Sequence, residues 1–543
     1  MSYLASGRRR HPETSARSRR IWLPKGEILR MRNATLAILL TLFVSTTAAV
    51  RADDTPKGDK PPGDKGGEKA APAPAPPRRF VTHHRFTAGG VDLPYTATAE
   101  DIDLKDRDGK PTARFFTISY LAEGVKRQEY RPITFFFNGG PGSSSVWLHL
   151  GFVGPKRIDI PSDAEDPGAP PYRLKDNPSS LLRVTDLVEV DPVGTGFSRA
   201  LGDKKDADFW GYDEDADSVA DFIRAFLTVH DRWNSPKYVL GESYGGIRGS
   251  MLVPRLQGQM KIGLNGVILI SPAINMGALP FNTGGSDLTY ATHLPTLAAT
   301  AWYHKKLPDA WPSLLALLTE VEQFASGEYL EALFRGDSLK AAEKGRIADK
   351  LHRYTGVSKP YILNSDLRLY APRFAKELLR DEGRATGFLD SRYAQKELDN
   401  AAEFPNSDPF NAKTGPIYVS LFHQYLHNEL GADIQEPYLP QNGEANQNWK
   451  RRKNAAGAFA GFIDVTGDLA QGTKDNEALR VFTASGYYDL ATAYFANAYM
   501  LHHSGVDPAR VTIRNYPAGH MMYLNQGSLE QLSRDIGSFI QGK

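Results

Sequence analysis

The chain has 543 residues, 41% of them hydrophobic, with 65 Lys and Arg against 63 Asp and Glu and no cysteine. That is enough apolar material for one large domain with insertions or for two domains, while the missing cysteines exclude disulfide support, thiol catalysis and cysteine metal sites. Residues 1–52 carry ten of the bases and only two acids, Glu13 and Glu27, so the body of the chain is mildly acidic and, lacking a basic stripe, gives no reason to expect nucleic-acid binding.

From Met31, "MRNATLAILLTLFVSTTAAVRADD" has a cationic start, an apolar run from Ala34 to Val44 and a small-residue end, which is the pattern of a secretory signal peptide cleaved after Ala52. Residues 1–52 are therefore read as a leader, with Met31 as the expected start. A twin-arginine signal at "SRRIWLPK" is the competing reading, although its apolar region would lie unusually far downstream. The expected destination is periplasmic or extracellular, and no later segment reaches the ~20 apolar residues of a membrane helix. Residues 53–79, rich in Pro, Gly, Lys and Asp, read as a disordered linker.

From Phe80 to Tyr130, short alternating runs such as "LPYTATAEDIDL" and "ARFFTISYLAE" predict an antiparallel meander. "PITFFFN" is apolar on consecutive positions and predicts a strand buried on both faces. "DLVEVD", "KYVLG", "GVILIS", "LRVFTAS" and "VTIRNY" follow, with helical patterns such as "DEDADSVADFIRAFLTVHDRW" and "ATAYFANAYMLHHS" between several of them. That alternation predicts an α/β fold, a mostly parallel sheet with helices on both faces. Between about Asn275 and Lys450 the rhythm gives way to helical stretches, read as a cap inserted between core segments 80–274 and 451–543.

"YVLGESYGG" places Ser243 on a glycine-flanked turn directly after a strand. Such a turn lifts a hydroxyl out at the carboxyl edge of a sheet and aims the next amide, that of Tyr244, at a developing oxyanion. By itself a G-x-S-x-G pattern is common, and an ordinary glycine loop is its bland alternative; the preceding strand favours the nucleophile. The chain order Ser, Asp, His of such enzymes points downstream, to Asp489 after "VFTAS" and His520 after "VTIRNY". His502 and His503 end a helical pattern and read as surface residues, Asp464 and Asp468 precede their strand and read as helix caps, and His83-His84 lacks partners at metal-ligand spacing.

"FFFNGGPGSSS", "VEVDPVGTGFS", "YVLGESYGG", "ASGYYDLAT" and "AGHMM" occur in order, and together they resemble the serine carboxypeptidase family of α/β hydrolases. The resemblance implies a Ser243, His520 and Asp489 triad, an oxyanion hole from the amides of Gly140 and Tyr244, and a grip on the substrate's C-terminal carboxylate by Asn138, Gly139 and Glu242. It implies no cofactor or metal, peptide or protein C-termini as substrate, and a Glu242 that must hold a proton to donate to a carboxylate. Several positions depart from the family. Phe152 stands where an acid is usual, Ser143 where a Cys is common, and Ala493 and Tyr523 where Pro is usual. Loss of the acid lowers the pKa of Glu242 by removing repulsion, whereas the phenyl ring raises it by desolvation, and the sequence leaves open which prevails. The expected function is an exported serine carboxypeptidase working through an acyl-enzyme; an esterase or acyltransferase on the same fold is the alternative, and a non-catalytic binding module the remote one.

Overall fold

The computed structural model describes residues 75–88, 90–281, 286–452 and 462–543. The expected leader and most of the expected linker lie outside the described residues. Arg78, inside the expected linker, is already anchored: its guanidinium pairs with the buried Asp101 at 2.8 Å and with Glu436 at 2.7 Å.

Strands β1 (Arg79–Ala88), β2 (Val91–Lys105) and β3 (Pro111–Ala122) form the antiparallel meander. They continue into β4 (Ile133–Phe137), the short hairpin of β5 (Lys156–Ile158) with β6 (Leu174–Asp176), then β7 (Asp186–Glu189) and β8 (Arg199–Ala200). β9 (Lys237–Glu242) and β10 (Gly266–Ile270) precede a mainly helical stretch containing the pair β11 (Arg384–Thr386) and β12 (Ala394–Lys396). The chain returns to the sheet as β13 (Arg480–Gly486) and β14 (Val511–Tyr516). The main sheet has ten strands in the order β1-β2-β3-β7-β4-β9-β10-β13-β14, with β8 against β3, and every pairing from β7 to β14 is parallel.

Two-residue periodicity explains why β4 is buried throughout. Ile133, Phe135 and Phe137 enter the core beneath helices Tyr212–Val229 and Tyr244–Val253, where Phe135 meets Phe226 edge-on. Phe136 points to the opposite core, shared with helices Pro409–Asn428 and Gln526–Gln541. From β4 the chain steps to β7 on one side and then to β9 on the other. The carboxyl ends of β4 and β9 therefore flank a topological switch point, where open α/β sheets form crevices for ligands. Helices between β10 and β13, among them Leu288–Tyr303, Leu314–Phe324 and Ala341–Thr355, bury a hydrophobic cluster of their own around Leu297, Leu317 and Leu351.

Candidate active site

β9 ends at Glu242, helix Tyr244–Val253 begins one residue later, and Ser243 makes the whole turn between them. Its φ of 62° and ψ of −123° lie in a region that L-residues rarely occupy. Bonds from the Ser243 amide to the Ile270 carbonyl (3.0 Å) and from the Ala273 amide to the Ser243 carbonyl (3.0 Å) hold it there. The turn is too tight for side chains around it. A Cβ on Gly241 would stand 2.1 Å from the Gly245 carbonyl oxygen, and one on Gly139 would stand 2.4 Å from the Tyr244 nitrogen. The same closeness brings the loop after β4 against the helix start, so the backbone at Gly139 borders the Tyr244 amide and Gly140 follows it in the chain. Gly140 is exposed and Ser243 half-buried, whereas Asn138, Glu242 and Tyr244 are buried.

Asp489 follows β13 and His520 follows β14, both buried. His520 Nδ1 meets Asp489 Oδ2 at 2.7 Å. The same oxygen accepts from the Thr492 hydroxyl at 2.6 Å, and Oδ1 accepts from the amides of Ala491 and Thr492 at 2.9 and 3.0 Å. Burial alone would raise the pKa of Asp489, but the His520 charge and these donors outweigh it and hold the carboxyl below its usual range. Burial likewise disfavours a charged His520, yet Asp489 prevails and lifts the imidazole above its ordinary value. Ser271, after β10, ties the layers together: its hydroxyl donates to the His520 carbonyl at 2.7 Å, and its own carbonyl accepts from Thr492.

Asn138 and Glu242 end the neighbouring strands β4 and β9 and meet directly, Asn138 Nδ2 donating to Glu242 Oε1 at 2.7 Å. Asn138 Oδ1 accepts from the Leu148 amide at 2.9 Å, which fixes the orientation of the amide group. Burial, only partly offset by His520, Tyr523 and Asn138, pushes the Glu242 carboxyl up to about 7. Between the two effects left open by Phe152, desolvation therefore prevails.

All eight expected site residues thus stand along one edge of the sheet. The rivals do not join them. His502 and His503 are exposed at a helix end, Asp464 accepts from the Thr466 amide at the start of helix Thr466–Asp475, and Asp468 pairs with Arg452. His83 bonds Glu123, and His84 stacks on Tyr95.

Two supports escape sequence reasoning. Arg248 is fully buried beneath the turn, donating from Nε to Asp215 Oδ2 at 2.8 Å and from an Nη to the Asn138 carbonyl at 2.6 Å. The second is the segment from Gly387 to Tyr393, which crosses the loops of Asp489 and His520. The His520 amide donates to the Leu389 carbonyl at 2.7 Å, the Leu490 amide to the Phe388 carbonyl at 3.1 Å, and the Ser391 amide to the Tyr488 carbonyl at 3.0 Å. Asp390, braced by Arg392 at 2.6 Å, fills the space beside Gly519, where a Cβ would come within 2.4 Å of it. Gly519→Ala must therefore push the His520 loop off this segment, and since misplacement by ~1 Å can cost about 100-fold, kcat should fall about that far with KM little changed. Steady-state kinetics on a small ester checks this.

The serine carboxypeptidase family model matches residues 108–309. That stretch contains Asn138, Gly139, Gly140, Glu242, Ser243 and Tyr244, while Asp489 and His520 lie beyond it. Serine carboxypeptidase-like 20 of Arabidopsis thaliana is 32% identical over 173 residues, covering 31% of this chain and 32% of that protein. The retinoid-inducible serine carboxypeptidase of Rattus norvegicus is 31% identical over 166 residues, 28% of this chain and 32% of its own length. The chain thus spans about a third of the length of these curated relatives. In three dimensions it is similar to Kex1Δp, a prohormone-processing carboxypeptidase from Saccharomyces cerevisiae, with a TM-score of 0.51 and 14% identity over 86% of this chain and 91% of that one. This last likeness shows the fold, that of the α/β hydrolases.

Proposed function

Because residues 108–309 belong to the serine carboxypeptidase family, we propose that this protein is an exported serine carboxypeptidase that releases residues from peptide C-termini through an acyl-enzyme. The observation that carries the reading is one sheet edge holding both a Ser243 turn with a buried 2.7 Å His520–Asp489 pair and an Asn138–Glu242 pair. Ser243 Oγ attacks the scissile carbonyl, His520 takes its proton and passes it to the leaving amine, and Asp489 orients the imidazole and stabilises its charge. The amides of Gly140 and Tyr244 receive the oxyanion. Water, activated by His520, then releases the acyl group. Asn138, the Gly139 amide and a protonated Glu242 read the free terminal carboxylate. Export rests on the leader pattern before Ala52, and no helix among the described residues is long and apolar enough to cross a membrane.

The test is an N-blocked dipeptide offered as the free acid and as the C-terminal amide across acidic to neutral pH. Glu242 donates only when protonated, so binding of the free acid holds below about 7 and weakens as pH rises through that value. One proton per binding event makes KM for the acid rise about tenfold per pH unit beyond it, while KM for the amide stays flat. Equal turnover of acid and amide at every pH would sink the carboxylate-reading part of the proposal. One observation favours a second reading: Phe152 is fully buried where the family usually carries an acid. On that reading the triad serves an esterase or acyltransferase, and esters lacking a free carboxylate would be turned over better than peptides.

A further inference from the structure

Two departures from the family pattern, Phe152 and Tyr523, meet in space. Their rings stack with centroids 5.9 Å apart and planes 14° from parallel, and both are fully buried. Gly151 lies against the same ring: a Cβ there would stand 2.4 Å from Tyr523 Cε2 and 2.5 Å from the Tyr418 hydroxyl, so the Tyr523 ring has a fixed seat. The Tyr523 hydroxyl and Glu242 Oε2 are both buried, and neither makes a hydrogen bond of normal length and angle. Beyond burial, the phenol lowers the proton affinity of Glu242 and the Glu242 charge raises that of the phenol, so the two groups are neighbours.

Resting on the carboxylate-reading role given above to Glu242, we propose that Tyr523 is a positioning residue for that side chain, its phenol holding Oε2 while Asn138 holds Oε1. The chemistry of a phenol differs from that of an acid here. It remains neutral throughout the working range, so it fixes the carboxyl without adding a second titrating charge. The groups facing Glu242 are His520, Asp489, Tyr523, Asn138 and Tyr418. Burial and Asp489 favour retention of its proton, whereas His520, the Tyr523 phenol and Asn138 favour its loss.

Removing the phenol donor should therefore leave Glu242 protonated to higher pH. With Tyr523→Phe, the alkaline limb of kcat/KM for the free-acid dipeptide should move up by about one pH unit, while ester turnover at pH 6 stays within about twofold of the parent protein. A merely structural role would lower turnover of both substrates and leave the limb in place, and that result would overturn the proposal. Glu242→Gln separates the two layers of the argument. If it abolishes the limb while Tyr523→Phe leaves the limb unmoved, only the Tyr523 role fails. If the limb survives Glu242→Gln, the carboxylate-reading role of Glu242 falls, and the Tyr523 role with it. Should Tyr523→Phe not fold, Tyr523→Met decides the matter: it fills the same seat without a hydroxyl, so the limb should again move up, and an unmoved limb would overturn the proposal.

Discussion

Replacing Ser243 with alanine should lower kcat by about a millionfold and leave the fold intact. The magnitude follows from how such a group works, since a nucleophile removed from a triad costs about as much as the whole triad, and the residual rate comes from oxyanion donors and binding alone. The fold survives because alanine keeps the Cβ. The strained φ of 62° and the two backbone bonds to Ile270 and Ala273 are common to both residues, so the change in stability should stay within about 0.5 kcal/mol. Burst kinetics on an activated ester and labelling by an active-serine phosphonate provide the check. A variant that retains peptidase activity would remove Ser243 from the mechanism.

The second large effect concerns stability. Arg248 and Asp215 are among the buried residues, and Arg248 additionally carries the Asn138 carbonyl. Arg248→Met leaves a carboxylate in the core with no cation, a change that costs about 3–5 kcal/mol in comparable sites. Burial already places Asp215 above the usual carboxylate range, even though Arg248 works to lower it. Without the cation its folded-state pKa rises further. The loss is therefore smallest at acidic pH, where Asp215 is protonated with or without Arg248, and grows as pH rises past the raised folded-state value that Asp215 already has in the parent protein. Urea unfolding at pH 5 and pH 8 would show this slope, and Asp215→Leu combined with Arg248→Met should recover much of the stability. Equal losses at both pH values would mean that Asp215 does not bear the penalty.

The contrast between Asp215 and its neighbours shows what sequence could and could not convey. Asp213, Asp215 and Asp217 sit in one acidic helix start, and nothing local distinguishes them. Asp213 and Asp217 are solvent-accessible partners of Arg255, whereas Asp215 falls on the same buried stripe as Ser218 and Phe222 and meets a residue 33 positions away. Long-range pairing of this kind leaves no trace in periodicity. The same holds for the Gly387–Tyr393 segment, whose bonds to the loops of Asp489 and His520 are made by backbone atoms that any sequence possesses.

By contrast, the strands and the turn were legible because their causes are local. β4 announces itself by four apolar residues in five, and the Ser243 turn by glycines required where a Cβ would collide with backbone. Phe152 lay between these extremes. Its identity showed that an acid was missing, but the flat contact with Tyr523 that decides what replaces it became visible only once residues 152 and 523 were in contact.

Ser243 leaves the sheet at its middle, while His520 arrives on the strand at its far edge, about 280 residues later in the chain. At ribosomal rates of about 5–20 residues per second, that interval takes roughly a quarter of a minute to a minute. Throughout it the growing polypeptide carries a serine without a base to activate it. Order of synthesis alone thus delays the meeting of Ser243 with His520 until the last strands of the sheet are in place.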